Sequence, residues 1–383
     1  RVASHHTCAR SLRMRVFSLI VAVVSVALIL LSVLRLEAGW RGIERAALSV
    51  DGTPVTLYAQ PGAEGPLVVV AHGFAGSRQL MEPFALTVAR AGYRVASFDF
   101  MGHGRHPRPM TGDVTKIEGT TRALEEETRA VIDAALAETG AEGPVALLGH
   151  SMASDIIVRA AVEDPRVGAV VAISMFSEAV TPDAPRNLLM VSGAWERFLR
   201  TQAVEVLGPG GAEGLTYGDH ADGTARRAAV APAVEHVGVL YSETALREAV
   251  DWLNLSFGRA GPVEPVIRGP WIALGLLGLA ALVWPLSRAL PRLAEPGEPL
   301  PRRDFWTAAL LPAVVTPLAL APLSIDWLPV LVADYLALHF ALYGALTIGF
   351  LVWARRGQRA GEPQRNVQEE GEEDGGNLYK GGV

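Results

Sequence analysis

Cysteine is almost absent from this chain: Cys8 is the only one in 383 residues. A single thiol excludes an intramolecular disulfide framework and a cysteine-based zinc cluster, and we expect neither metal nor cofactor. Charge is scarce as well. Charged residues make up 19% of the chain, the formal net charge is −6, and nearly all of the basic charge is arginine. Nothing here offers the basic surface of a nucleic-acid binder, so no nucleic-acid partner is expected. Internal repeats are missing too, which sets aside solenoids and propellers. What fills the chain is apolar. Half of it is hydrophobic and the mean hydropathy is +0.26, high for a soluble domain and a sign of membrane segments.

Four stretches, residues 16–34, 271–290, 305–323 and 328–353, approach the roughly 20 apolar residues that a helix needs to cross a bilayer. Pro285, Pro312 and Pro317 fall inside the second and third, where membrane helices tolerate proline. Trp40, Trp271, Trp306, Trp327 and Trp353 stand near the ends, as in an aromatic belt. Arg10, Arg13 and Arg15 precede the first span, Arg288, Arg292, Arg302 and Arg303 follow the second, and Arg355, Arg356 and Arg359 follow the fourth. The positive-inside rule then predicts a cytoplasmic N-terminus at 1–15, an anchor at 16–34, a domain outside the cytoplasm at 36–269, a three-helix membrane region at 270–354 and a cytoplasmic tail at 355–383. The tail is rich in Gly, Glu and Gln, cannot build a core and is expected to be disordered. The basic start of the first span also fits a signal peptide. Its apolar run is long, however, and no A-x-A site follows, so an uncleaved anchor is expected. Asp334 and His339 fall in the fourth span. Ionisable residues there mark functional sites by default, but Asp334 lies near an end, and a structural or snorkelling role is the expectation for the pair.

Between the first two spans, buried-strand and amphipathic-helix patterns alternate. Residues 46–50 and 54–58 read as a hairpin turning at Asp51-Gly52. Strands are expected at 67–71, 93–98, 145–148, 167–173, 188–191 and 226–234, and helices at 80–91, 122–136 and 244–257. This alternation predicts an α/β domain with a mostly parallel sheet covered on both faces.

The pentapeptide Gly149-His150-Ser151-Met152-Ala153 follows the apolar run at 145–148 and opens a helical pattern. Small-x-Ser-x-small between strand and helix marks a nucleophile elbow, with Ser151 at its tip. A serine hydroxyl needs a base, and the base an orienting carboxylate. His236, after the last expected strand, is the candidate base, and His220 is the only other histidine in this domain after Ser151. Glu196, just past the strand at 188–191, is the candidate acid. Glu178, Asp219 and Asp222 are its rivals. The developing oxyanion needs two N–H donors, which we assign to the backbone of Met152 and Phe74. His72 and His103 read as supports of their loops.

Taken together, His72-Gly73-Phe74, Asp99 with Gly102-His103-Gly104, Gly149-His150-Ser151-Met152 and the late His236 resemble the α/β-hydrolase superfamily in order and spacing. They are most similar to its esterase, lipase and monoacylglycerol-lipase-like branch. The resemblance covers residues 46–257 and excludes the spans. It implies a mostly parallel sheet covered by helices and a Ser-His-acid triad without cofactor. Ala153 in place of glycine and Glu196 in place of aspartate depart from the pattern. The stretch between Ile173 and Leu188 leaves room for only a short loop where the family inserts a lid. The expected function is a membrane-anchored serine hydrolase of lipophilic acyl or lipid esters, working beside a lipid bilayer through an acyl-enzyme. Peptidase or acyltransferase chemistry uses the same triad. A non-catalytic binding or sensing module coupled to membrane transport or assembly is the alternative from another class.

Overall fold

The computed structural model describes residues 2–110, 117–261, 264–291, 299–323, 327–328 and 333–375. Its centre is set by runs of branched apolar residues that have no polar face. β3 (Leu67–Ala71), β5 (Val145–His150), β6 (Val167–Ile173) and β7 (Leu188–Gly193) are buried at nearly every position. Strands covered on both faces belong in the middle of a parallel sheet. With β4 (Arg94–Phe98) and β9 (Arg226–Ala231) they form its parallel part, in the order β4-β3-β5-β6-β7-β9. The hairpin of β1 (Glu44–Val50) and β2 (Thr53–Ala59) adds to β4 antiparallel, and the two-residue β8 (Thr216–Tyr217) closes the far edge. The hairpin turns at Asp51 and Gly52, both at positive φ (50° and 92°), the pairing a tight two-residue turn requires.

Alternate strand residues feed two cores. Val68 and Val70 pack with α2 (Glu82–Arg90) and α6 (Glu243–Ser256), whereas Leu67, Val69 and Ala71 pack with α3 (Arg122–Thr139) and α4 (Met152–Glu163). This is the two-residue period of a strand read out on opposite faces. Trp252 of α6 is buried, and its indole N–H donates to Asn187 O at 2.8 Å. β9 stops at Ala231 rather than at residue 234, because Pro232 has no N–H to donate and Ala233 sits at φ 57°.

The chain divides into two compact units. The first contains the sheet, α1 (Val2–Ala38) and α7 (Gly269–Ala289); the second contains α8 (Arg302–Leu320) and α9 (Ala333–Gly375). In the first unit α1 and α7 pack antiparallel through small residues. Ser25 and Ser32 are buried, and Ser32 Oγ–H donates to Trp271 O at 2.8 Å. A Cβ on Gly278 would lie 2.9 Å from Ile29 Cγ1 and 3.0 Å from Ser25 O. Close backbone approach of this kind holds helices together in lipid, where the hydrophobic effect does not.

The helices Leu12–Ala38, Gly269–Ala289 and Ala333–Gly357 are long and apolar enough to cross a membrane. That is three candidate spans among the described residues, where the sequence led us to expect four. The stretch at 305–323 falls in α8, which opens on Arg302-Arg303-Asp304 and carries Pro312 and Pro317. Their polarity dilutes an otherwise apolar helix. In the second unit, Asp334 Oδ2 accepts the N–H groups of Trp327 (2.6 Å) and Leu328 (2.7 Å), so this carboxylate ties down the approach to α9. α9 itself runs on to Gly375, past the point where a disordered tail was expected; Glu, Gln and Arg are good helix formers even without a core to join. Residues 376–383 of that tail lie outside the described residues.

Candidate active site

All the expected site residues lie at the carboxyl edge of the sheet, where strand ends meet helix starts in α/β folds. Ser151 joins β5 to α4 at φ 56°, ψ −119°. A non-glycine residue there stores roughly 1–3 kcal/mol of strain, which only a well-determined surrounding sustains. The surroundings are visible. Ser151 N–H donates to Ile173 O at 2.9 Å, tying the elbow to the end of β6. A Cβ on Gly149 would lie 3.0 Å from both Ala153 O and Ile157 Cδ1, and one on Gly73 would lie 3.0 Å from Ser151 Cβ. Ala153 is buried in the core beneath α4, where its methyl packs, so the fold tolerates alanine there.

Ser151 Oγ lies 2.8 Å from His236 Nε2, and His236 Nδ1 lies 2.6 Å from Glu196 Oε1. His236 is carried by the loop after β9, and Glu196 immediately precedes α5 (Arg197–Val206). Although Glu196 occupies the cap position of α5, its side chain makes no cap hydrogen bond. Its other oxygen, Oε2, accepts Gly193 N–H at 2.6 Å and Ser174 Oγ–H at 2.8 Å. The rival acids stay elsewhere. Glu178 and Asp222 are exposed, and Asp219 accepts Ala221 N–H at 2.8 Å within its own turn.

Charge is distributed accordingly. Hydrogen bonding to Glu196 raises the His236 pKa above its usual value, against the effect of its partial burial. Burial by itself would raise Glu196, but the hydrogen bonds from His236, Gly193 and Ser174 outweigh it and hold the carboxyl below its usual range. Glu196 is therefore a carboxylate and Nδ1 of His236 carries the proton. Nε2 is then free to accept one from Ser151.

Met152 N–H, at the first position of α4, and Phe74 N–H bond no carbonyl among the described residues. Both flank Ser151, one along the chain and one through Gly73. His72 braces this loop: Phe100 N–H donates to Nε2 at 3.1 Å, which leaves Nδ1–H to donate to Gly73 O at 2.8 Å. His103 lies beside His72 and Phe74 (ring centres 5.1 and 5.9 Å away) and contacts none of the three residues of the series. Asp99 accepts from the backbone of Arg78 and Arg105 and pairs with the Arg78 guanidinium, joining the loops after β3 and β4.

His150 and Ser174 belong to the site, and sequence reasoning gave them no role. His150 is buried; its Nε2–H donates to His236 O at 2.8 Å, and the two rings lie 4.8 Å apart. Burial lowers the His150 pKa to about 4, so it is a neutral donor that holds His236 in place. For His150 the only available signal was its position inside the elbow pentapeptide. Ser174, at φ 52°, had none. Among the described residues no group of His, Cys, Asp and Glu is arranged to hold a metal ion.

Residues 63–227, less than half of the chain, match the family of serine aminopeptidases, S33. The match includes Ser151 and Glu196 and ends before His236. Solved structures with similarity include TT1662 from Thermus thermophilus (20% identity, TM-score 0.37, covering 55% of this chain and 97% of that one). Another is a hormone-sensitive lipase from a metagenome library (14%, 0.41, 64% and 98%). The epoxide hydrolase VrEH1 from Vigna radiata is 24% identical with a TM-score of 0.29, and the similarity covers 38% of this chain and 43% of that enzyme. No curated protein matches. The strand order and the site at its carboxyl edge are those of an α/β-hydrolase fold, and the similarity at residues 63–227 supports a hydrolase.

Proposed function

We propose that the chain is a membrane-anchored serine hydrolase that cleaves acyl esters through an acyl-enzyme on Ser151. The observation that carries this is the unbroken series from Ser151 Oγ to His236 to Glu196. In the mechanism this geometry supports, Nε2 of His236 takes the Ser151 proton as Oγ attacks the ester carbonyl. The N–H groups of Met152 and Phe74 receive the developing oxyanion, each contributing a few kcal/mol. His236 then hands the proton to the leaving alkoxide, and Glu196 holds the imidazolium in register. Water, activated by His236, releases the acid and restores Ser151.

The family match favours a second reading, hydrolysis at a peptide N-terminus. An aminopeptidase needs a carboxylate to receive the substrate ammonium. Glu235, the acidic neighbour of His236, is instead turned onto the N–H groups of Val237 (2.8 Å) and Gly238 (2.7 Å). That carboxylate is thus engaged, and we keep esters as the proposed class, with peptide substrates as the alternative outcome of the test. The test is labelling by a fluorophosphonate probe, followed by rates on 4-nitrophenyl esters and aminoacyl naphthylamides. We expect labelling that Ser151→Ala abolishes, and ester turnover in excess of amide turnover. Equal labelling of wild type and Ser151→Ala overturns the nucleophile.

We further propose that α1 and α7 cross the membrane as an antiparallel pair, with the hydrolase domain outside the cytoplasm. Arg13 and Arg15 on one helix and Arg288 on the other support that side. A reporter inserted among residues 38–45 should read outside. If α8 does not cross, counting helices no longer puts the tail in the cytoplasm, and a reporter after Arg359 decides its side.

A further inference from the structure

Five apolar side chains stand in water around Ser151: Phe74, Phe176, Trp195, Phe198 and Val237, between 45% and 67% exposed. Each is tied to a catalytic element. Phe74 provides an expected oxyanion N–H, Trp195 precedes Glu196, and Val237 follows His236. Phe176 follows Ser174, which binds Glu196, and its ring meets that of Phe198 at 5.8 Å. Apolar surface gathered in this way marks a binding or membrane-contacting face.

The start of α7, the second candidate span, lies at this same edge. Arg268, the residue before α7, pairs with Glu82 at 2.9 Å, and Glu82 opens α2 just after the loop that leaves the carboxyl end of β3. Arg268 also donates to Leu36 O near the end of α1 at 3.3 Å. Gly269 sits so close to Tyr241 that a Cβ there would be 3.0 Å from Tyr241 Cβ, and Tyr241 lies in the segment that follows His236. Past these contacts α7 packs along α1. Val266 N–H donates to Thr87 in the middle of α2 and Arg268 pairs with Glu82 at its start, so the chain enters α7 running toward the edge that carries Ser151, Glu196 and His236. Arg90 at the other end of α2 donates to Ala38 O and Gly39 O (3.2 Å each) and lays the end of α1 along α2.

We infer that the aromatic rim is a membrane-docking surface. It seats in the headgroup region of the bilayer that α1 and α7 cross, and Ser151 takes its acyl substrate from the membrane plane. Tryptophan favours the headgroup level, and an apolar face carrying Trp and Phe buries at the headgroup–acyl boundary. The lipid surface is the occupant to which the chain's own helices join the rim. This rests on the spanning reading of α1 and α7.

The test uses the full chain in phosphatidylcholine vesicles. Cys8→Ser removes the only native thiol. Phe198→Cys and Trp195→Cys then place an environment-sensitive fluorophore on the rim. Glu142→Cys places it at the opposite, amino edge before β5, and Val283→Cys on the exposed face of α7. Spin-labelled lipid is expected to quench the rim labels several-fold more than the label at 142, with a blue shift of their emission. Rim labels quenched no more than the one at 142, while the label at 283 is strongly quenched, overturn the docking surface and leave the spans intact. An unquenched label at 283 removes the spanning reading, and the docking surface with it. Two rim positions guard against one poorly folding variant.

Discussion

Replacing Glu196 by glutamine keeps its volume, and the hydrogen bonds around it dictate how the amide must sit. Gly193 N–H and Ser174 Oγ–H both donate to Oε2, so the amide oxygen takes that place and its NH2 faces His236 Nδ1. A donor there obliges Nδ1 to accept and moves the ring proton to Nε2. The lone pair that receives the Ser151 proton is then gone. Loss of the correct tautomer in a serine triad lowers kcat by about 10⁴-fold, about 5 kcal/mol of barrier. We expect that loss in initial rates on a 4-nitrophenyl ester and in the rate of fluorophosphonate modification, with thermal stability nearly unchanged. Ser174→Ala, which leaves the Gly193 donor in place, should cost far less. If Glu196→Gln keeps more than about a tenth of the wild-type rate, the tautomer argument is wrong and Glu196 does not orient His236.

Other outcomes follow from the same geometry. Catalysis needs neutral His236, whose pKa is raised through its bond to Glu196, so activity should fall as pH drops through a value above 6.5; in Glu196→Gln the residual activity should persist to lower pH, as a pH–rate profile would show. Stability behaves differently. Burial lowers the pKa of both His72 and His150 to about 4. Below pH 6.5 the unfolded chain therefore binds protons that the folded one refuses, and denaturation midpoints should fall between pH 6.5 and 4, by roughly 1.4 kcal/mol per pH unit for each residue at most. Gly73→Ala puts a methyl 3.0 Å from Ser151 Cβ and displaces the Phe74 donor; kcat should drop about 10²–10³-fold with little change in melting temperature, and an unchanged kcat would remove Phe74 from the oxyanion site. His150→Phe keeps a ring but strips the donor from His236 O, at a cost of about 1–3 kcal/mol in stability and a slower Ser151 modification. Gly278→Leu should separate α1 from α7, read as loss of a disulfide engineered between the two helices.

The elbow was legible in the sequence because its causes are local. A tight strand-to-helix turn excludes a Cβ at Gly149 whatever the rest of the chain does. The buried strands were legible because a parallel sheet covered on both faces needs unbroken apolar runs, as at Val167–Ile173. The stretch at 305–323 reads as a span from its apolar run, but the helix it belongs to starts earlier, at the charged Arg302-Arg303-Asp304, and is not among the three described helices long and apolar enough to cross. The roles of His150 and Ser174 were not legible in the sequence, although His150 stands inside the elbow pentapeptide. Each acts through a single hydrogen bond to a residue distant in the chain, and no periodicity encodes that.

By itself, then, the sequence determined the α/β alternation, the strained serine and the histidine and glutamate that could serve it, since propensity, burial pattern and turn chemistry are short-range. Only the tertiary structure decided which carboxylate meets His236, which buried groups hold that pair, and where α7 begins relative to the sheet. Those are distances between segments far apart in the chain, set by strand order and by contacts such as Arg268 with Glu82.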